Sequence, residues 1–215
     1  MMSSPKIQLI DVNDKPSGES DVYSVHQHPA KLHRAISVWL FNDSGGVLLQ
    51  QRSAKKITKA LEWGNAVCGN VRSNESYYQC AMRRLREEIG VESIQVRPIY
   101  KFLYKAWCND KYGENELDQV FIGQYSGRVK LNKDEADDYV WIDWNKFKKA
   151  IKEKVSGLDE SIKKAFLNPS LTTSMDLDEL KKNTKSLKII VDGRELLMVP
   201  WTIMMALDKR LVNKN

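Results

Sequence analysis

Runs of apolar residues along the chain predict a β-rich core. The run AISVWLF (35–41), the turn NDSGG and the run VLLQQ (47–51) have the pattern of a β-hairpin. Further strand-like runs cover residues 96–104, 117–125 and 139–143, and the loop sequence NDKYGENE separates the first two of them. Helical segments interrupt these strands, so the order of elements indicates an α+β fold.

One segment has a clear helical period. Within residues 75–89, apolar side chains recur three or four positions apart, at Tyr78, Met82, Leu85 and Ile89. Ser73 or Asn74 can cap the start of this helix, and Gly90 can end it. We therefore expect an amphipathic helix that buries one face against the strands.

The two ends of the chain differ in character. Residues 11–24 are polar and contain Gly, Pro and Ser, so we expect a flexible arm over residues 1–21 before a single domain over residues 22–215. A lysine-rich stretch with a helical pattern predicts a peripheral insertion over about residues 155–195. The sequence LKIIVDGRELLMV (187–199) predicts a hairpin with Asp-Gly at its turn, and Pro200 opens a final helix.

Composition narrows the class of protein without assigning a function. The 215 residues are 42% hydrophobic and 29% charged, which is enough to build a core. The chain begins without a basic-then-apolar leader and has no apolar run long enough for a membrane span, so we expect a cytoplasmic protein. Three cysteines without a CxxC pair favour free thiols. The net charge of +6 comes from scattered lysines without a nucleic-acid-binding motif, so we expect no nucleic-acid partner.

The charged helix carries a recognisable spacing. Residues 69–91, GNVRSNESYYQCAMRRLREEIGV, have a glycine, a glutamate six positions later, an arginine eight positions after that, and a Glu-Glu pair before the last glycine. This resembles the Nudix box, a loop–helix unit that binds a metal-complexed diphosphate. Arg/Glu pairs on a solvated helix would explain the charges but not the glycines. Arg84 stands where Nudix hydrolases have a glutamate, so we expect a site that binds a diphosphate more readily than it hydrolyses one.

Five further segments resemble, in order and approximate spacing, the type I isopentenyl-diphosphate isomerases of the Nudix superfamily. They are LHRAISVWLF (32–41), LLQQRSAKKIT (48–58), WGNAVCGN (63–70), ENE (114–116) and PWTIMMA (200–206). The resemblance implies a Nudix-like mixed β-sheet flanked by helices, with the C-terminal helical and hairpin segment as an insertion.

The resemblance also implies a set of catalytic residues. Isomerisation of an alkene needs one group that adds a proton and another that removes one across a dry pocket. The family positions for these groups match Cys68 and Glu116, with Tyr104 beside the glutamate. Trp201 matches a tryptophan that can stabilise a carbocation by about 0.5–2 kcal/mol. Taken alone, Cys68 between apolar residues would more often be inert core, and Trp201 could serve only in packing.

A metal site is the second implication. All three histidines of the chain lie in one eight-residue window, 26–33. The family metal ligands match His33 and either His26 or His28, together with Glu114, Glu116 and Asn70. Asn70 replaces a family histidine, and an amide oxygen is a harder ligand than imidazole, so we expect weaker Zn²⁺ binding and a shift toward Mg²⁺ or Mn²⁺.

The substrate contacts complete the inferred site. Arg52, Lys56 and Arg84 match family positions that bind the diphosphate, and Glu88 matches the carboxylate that reaches the substrate's Mg²⁺. Val22 replaces a lysine that is frequent in the family. We expect a small prenyl diphosphate substrate, with Mg²⁺ bound to its diphosphate and a second divalent metal at the His/Glu site.

The leading hypothesis is therefore interconversion of isopentenyl and dimethylallyl diphosphate through a tertiary carbocation. Three alternatives stay open from the sequence. They are proton-initiated chemistry on a different or longer prenyl diphosphate, Nudix diphosphate hydrolysis, and a non-catalytic diphosphate- or partner-binding protein.

Overall fold

Eleven strands form one mixed sheet in residues 5–211, the part of the chain that the computed structural model describes. The strands are β1 (Ile7–Ile10), β2 (Pro16–Ser20), β3 (His33–Phe41), β4 (Gly46–Arg52), β5 (Trp63–Asn65), β6 (Val67–Asn70), β7 (Val96–Trp107), β8 (Gly113–Gln124), β9 (Ala136–Asp143), β10 (Leu187–Val191) and β11 (Arg194–Met198). The α-helices are α1 (Val22–His26), α2 (Tyr77–Ile89), α3 (Trp144–Ser156), α4 (Glu160–Leu167), α5 (Leu177–Asn183) and α6 (Pro200–Leu207), and a 3-10 helix covers Pro169–Ser174. The predicted α+β fold with a mixed sheet and flanking helices is confirmed.

Strand β3 determines which side chains share a face of the sheet. It pairs in parallel with β8, with His33 opposite Glu116, and antiparallel with β6, with Ser37 opposite Cys68. Strand β7 continues the sheet beyond β8 and places Tyr104 opposite Glu116. Because side chains alternate between faces along a strand, these residues all point to the same side of the sheet.

The two faces of the sheet are covered by different helices. On one face, Ile36 and Val38 of β3 pack in a buried cluster with Leu85 of α2. On the other face, Trp39 packs in a second cluster that includes Trp201 of α6 and side chains of α3 and α4. The face that carries the polar residues of β3, β6 and β8 is therefore the face toward α6.

Helix α2 has a capping box at its start. The side chain of Ser76 accepts a hydrogen bond from the backbone N–H of Gln79, and the Gln79 side chain accepts one from Ser76 N–H. The prediction of Ser73 or Asn74 as the cap is wrong, since only Ser76 has the glutamine three residues later that completes the pair. Gly90 ends the helix at φ 68°, as the sequence predicted.

The N-terminal segment forms a hairpin. Strands β1 and β2 pair antiparallel, β1 joins β3 where Leu9 lies opposite His33, and Ile7 and Ile10 are buried. The prediction of a flexible arm over residues 1–21 is therefore wrong for residues 7–20, because burial of Ile7 and Ile10 and pairing with β3 order this segment. Residues 1–4 of the predicted arm lie outside the described part of the chain.

The C-terminal segment contributes to the core. The hairpin of β10 and β11 is confirmed, with Asp192 at φ 49° and Gly193 at φ 73° in its turn, and β11 joins the sheet beside β5. Phe166 and Ile189, within the predicted insertion 155–195, lie in the same buried cluster as Trp39. The domain boundaries themselves stay a prediction. Within residues 5–211, no helix is both long and apolar enough to cross a membrane.

Candidate active site and metal centre

A cavity of about 390 Å³ lies over the polar face of β3, β6 and β8. Its lining includes seven residues that the sequence predicted to act on a substrate: Arg52, Lys56, Cys68, Arg84, Tyr104, Glu116 and Trp201. The structure thus brings together side chains from six separate segments of the chain. Their catalytic and binding roles stay predictions.

Cys68 lies at the partly exposed end of β6, with its sulfur between two oxygens. Its Sγ is 3.2 Å from Oδ1 of Asn65 and 3.5 Å from Oγ of Ser37. Burial, assisted by the charge of Asp118, raises the pKa of the Cys68 thiol to about 12. Cys68 is therefore a neutral thiol at neutral pH, which is the form that can donate a proton.

Glu116 and Tyr104 form a cross-strand pair in the same cavity. The Tyr104 hydroxyl donates a hydrogen bond of 2.6 Å to Oε2 of Glu116, and the Tyr104 ring lies 6.3 Å from the Trp201 ring. Burial and then Glu116 raise the pKa of Tyr104 well above its usual value, so its hydroxyl stays a donor. The other carboxylate oxygen of Glu116 lies 3.3 Å from Nε2 of His33, which connects this pair to the histidines.

His26, His33 and Glu114 are buried with ligand atoms that lie within 4.8 Å of one another. His26 Nδ1 lies 2.8 Å from Oε2 of Glu114. Burial would lower the pKa of His26, but Glu114 outweighs it and raises that pKa to about 9. His28 instead places Nε2 3.0 Å from the carbonyl of Asn109. Of the two histidines that the sequence left open, the structure places His26 in the cluster.

Asn70 bridges the two imidazoles. Its Nδ2 lies 3.0 Å from Nε2 of His26, and its Oδ1 lies 3.3 Å from Nε2 of His33. Glu114 Oε2 is buried, and its ion pair with His26 is accompanied by no hydrogen bond from residues 5–211. Buried nitrogen and oxygen donors with a carboxylate oxygen that accepts no hydrogen bond fit a divalent cation, which would replace the proton on His26.

Arg84 is surrounded by carboxylates. Its guanidinium lies 2.8 Å from Glu88, 2.7 Å from Glu135 and 3.1 Å from Glu87. These ion pairs mean that the carboxylates of the Nudix-box helix are neutralised by an arginine of the same helix. The Arg84 stem also packs against β6: a Cβ at position 69 would lie 2.6 Å from the Cγ of Arg84, so only glycine fits there.

Glu88 does not lie with the predicted metal ligands. One of its oxygens accepts from Arg84 at 2.9 Å and the other accepts from Gln50 at 2.7 Å. It is only 1% exposed. A carboxylate held from both sides in this way would reach a substrate-bound Mg²⁺ only after Arg84 moved, so its predicted metal role stays untested.

Arg52 and Lys56 supply positive charge at the cavity wall. The Arg52 side chain donates to the carbonyls of Thr58 and Lys59, and its guanidinium carbon lies 5.5 Å from the centre of the Trp201 ring. Lys56 forms an ion pair with Glu135. Both cations line the cavity that holds Cys68, so positive charge and the thiol share one space.

Comparison with known proteins assigns the family. A model of the NUDIX domain matches residues 31–164. Isopentenyl-diphosphate Delta-isomerase 2 of Aromatoleum aromaticum is 38% identical over 138 residues, which are 64% of this chain and 72% of that protein. The isopentenyl-diphosphate Delta-isomerase of Salmonella paratyphi B is 34% identical over 151 residues, 70% of this chain and 83% of that protein. The chain belongs to the isopentenyl-diphosphate Delta-isomerase family of Nudix proteins.

A solved structure supports the fold of this isomerase-family chain. DR0079 from Deinococcus radiodurans covers 69% of this chain and 89% of its own, with a TM-score of 0.57 and 19% sequence identity. That identity is low, so the likeness supports the Nudix fold and carries no argument about activity.

Sequence reasoning missed four polar residues of this isomerase-family site. They are Ser37, Asn65, Asp118 and Glu135. Asp118 had a signal, because in ENELD it follows Glu114 and Glu116 at two-residue spacing and so shares their face of β8. Asn65 also had a local signal, because it lies three residues before Cys68 within WGNAVCGN. Ser37 and Glu135 had none, since their contacts depend on strand register and on a loop that is distant in sequence.

Proposed function

We propose that this protein interconverts isopentenyl diphosphate and dimethylallyl diphosphate. The observation that carries the proposal is that the Cys68 thiol and the Glu116–Tyr104 pair line one cavity with Trp201. A thiol that is neutral at pH 7 and a carboxylate are the two kinds of group that an alkene isomerisation needs. The family membership and the names of the relatives support the same reaction.

The neutral thiol and the carboxylate divide the two proton transfers between them. Cys68 donates its proton to the terminal CH₂ of the substrate alkene, which leaves a tertiary carbocation. Glu116, hydrogen-bonded by Tyr104, removes a proton from the carbon next to the cation, and the double bond forms in its new position. The Trp201 ring faces the same cavity and stabilises the cation by about 0.5–2 kcal/mol. The thiolate and the protonated carboxylate then exchange protons with solvent.

The negatively charged diphosphate group of the substrate needs positive charge at its binding site. Arg52 and Lys56 would bind its oxygens, and Mg²⁺ bound to the diphosphate would neutralise the remaining charge. A second divalent metal would be held by His26, His33 and Glu114 with the nearby Glu116 and Asn70, and would fix Glu116 in place when bound. The amide at position 70 favours Mg²⁺ or Mn²⁺ over Zn²⁺ at this centre. We propose a cytoplasmic enzyme acting on a small prenyl diphosphate.

Hydrolysis is the weaker candidate for this site. A Nudix hydrolase gathers free carboxylates around Mg²⁺ to activate water. Here the Arg84 guanidinium forms ion pairs of 2.7–3.1 Å with the carboxylates of Glu87, Glu88 and Glu135. The same helix therefore has fewer carboxylates available for the metal that hydrolysis requires.

A product assay tests the proposal. The purified protein with Mg²⁺ and isopentenyl diphosphate should form dimethylallyl diphosphate without release of phosphate or diphosphate, followed by mass spectrometry and a phosphate assay. Released phosphate would instead identify a hydrolase. Turnover only of longer prenyl diphosphates would overturn the assigned substrate, and binding without turnover of any of them would overturn the enzyme assignment.

A further inference from the structure

The Cys68 sulfur contacts two oxygens that are themselves fixed by other groups. Ser37 Oγ, 3.5 Å from Sγ, donates a hydrogen bond of 2.7 Å to Oδ2 of Asp118. Asn65 Oδ1, 3.2 Å from Sγ, accepts from the Thr202 hydroxyl at 3.0 Å. Neither Ser37 nor Asp118 has a part in the proton transfers proposed above.

The hydrogen-bond directions give the sulfur two acceptors. Ser37 has one hydroxyl hydrogen, and when it is donated to Asp118, Ser37 presents lone pairs to Sγ. The Asn65 amide hydrogens are directed at the carbonyls of Val38 and Val67, so Asn65 presents its oxygen. The S–H group therefore faces acceptors, and its direction in the cavity is set by the groups that fix them.

Sheet pairing positions this arrangement. Ser37 of β3 lies directly opposite Cys68 of β6. On the other side of β3, strand β8 carries Asp118, which lies opposite Ala35. Three adjacent strands thus carry the carboxylate, the hydroxyl and the thiol. Neighbouring strands lie about 4.8 Å apart, so strand pairing holds these three side chains next to one another.

Asp118 is an unfavourable residue for stability alone. It is 1% exposed, it lines the cavity, and its Oδ1 has no hydrogen-bond partner in the described chain. A buried, unsatisfied polar atom costs about 1–3 kcal/mol. An apolar side chain would avoid this cost, which indicates that the carboxylate serves the cavity.

We propose that Asp118 is a positioning residue that acts through Ser37 on the Cys68 thiol, an inference that rests on the proposed isomerase function. Asp118 keeps the Ser37 hydroxyl turned away from the sulfur. Without an acceptor at position 118, that hydroxyl turns and donates to Sγ, and the thiol loses the hydrogen-bond arrangement that sets its direction in the cavity.

The kinetic test compares single and double variants of the metal-loaded protein. Asp118→Val should lower kcat about 10- to 100-fold with KM nearly unchanged, because small misplacements of a reacting group have effects of this size. Asp118→Asn keeps an acceptor for Ser37 and should stay within about fivefold of wild type by the same argument. In a Ser37→Ala background, Asp118→Val should have no further effect on kcat.

Two controls separate positioning from a structural role. Gln119→Leu removes a buried polar side chain from the opposite face of β8 and should leave kcat unchanged. Bound metal per chain is measured in every variant. Three results would each overturn the proposal. They are an unchanged kcat in Asp118→Val, a further fall in kcat when Asp118→Val is added to Ser37→Ala, and recovery of kcat when metal is added.

A spectroscopic readout is independent of the reaction. The S–H stretching band of Cys68 is isolated by subtracting the infrared spectrum of Cys68→Ser, which removes the contributions of Cys80 and Cys108. The band should shift in Asp118→Val and stay in place in Asp118→Asn. An unmoved band in Asp118→Val would contradict the positioning contact even in an active enzyme. If the band shifts in Asp118→Val but the wild-type protein has no isomerase activity, the positioning contact stands and the proposed function is wrong.

Discussion

Replacing Arg84 tests the electrostatic arrangement of the Nudix-box helix. The Arg84 side chain is 12% exposed and its partners Glu88 and Glu135 are 2% and 22% exposed. Arg84→Met keeps much of the apolar stem but leaves both carboxylates without their guanidinium. Breaking a buried ion pair from one side costs about 3–5 kcal/mol, because the remaining charge is buried without compensation.

The structure places this variant at the lower end of that range. Glu88 keeps a hydrogen bond from Gln50, and Glu135 keeps its ion pair with Lys56. We expect a loss of about 3 kcal/mol in the free energy of unfolding. For a protein of this size, each kcal/mol lowers Tm by about 2–4 °C, so Tm should fall by about 6–12 °C.

Urea unfolding in metal-free buffer, followed by tryptophan fluorescence, measures the change. Arg86→Met is the matched control, because Arg86 is exposed on the same helix and should change stability by less than about 1 kcal/mol. Adding Glu88→Gln to Arg84→Met removes the uncompensated charge of Glu88. The double variant should regain about half of the lost free energy of unfolding. Equal stabilities of Arg84→Met and Arg86→Met would refute the reasoning.

Two further predictions concern the same cavity. Burial would raise the pKa of Glu135, but Arg84 and Lys56 outweigh it and hold that pKa at about 2 instead of 4.5. The stability difference between wild type and Glu135→Gln should therefore be full above about pH 4.5 and shrink as pH falls toward 2, and a difference that is constant in urea unfolding from pH 6 to pH 3 would contradict this. Asn70→His should raise Zn²⁺ affinity at least about tenfold in competition with a chromophoric chelator, because imidazole replaces an amide between two histidines. An unchanged affinity would remove position 70 from the metal centre.

Locally encoded elements of the fold were predictable. The spacing of apolar residues predicted α2, and Asp-Gly predicted the turn between β10 and β11. The hairpin of β1 and β2 was missed, because β2 (PSGES) is polar and the short apolar run IQLI of β1 is ordered by pairing with β3. The helix cap was misplaced by two or three residues, since the glutamine at position 79 selects Ser76.

The site was predictable where a motif carried it. The family resemblance led to Cys68, Tyr104, Glu116 and Trp201, and the structure places all four around one cavity. Ser37 was not predictable, because its contact with the thiol depends on which strands flank β3. The contact of Glu88 with Arg84 also needed the structure, since the family resemblance assigned that carboxylate to a metal.

The most direct test of the central claim is deuterium transfer from solvent. Wild type, Cys68→Ala and Glu116→Gln are incubated with isopentenyl diphosphate and Mg²⁺ in deuterated water, and label in both prenyl diphosphates is followed by mass spectrometry. Wild type should yield labelled dimethylallyl diphosphate, and each variant should be slower by at least about 100-fold, because a proton-transfer group contributes that much or more. Incorporation at the wild-type rate by either variant would contradict the claim that this thiol and this carboxylate perform the two proton transfers.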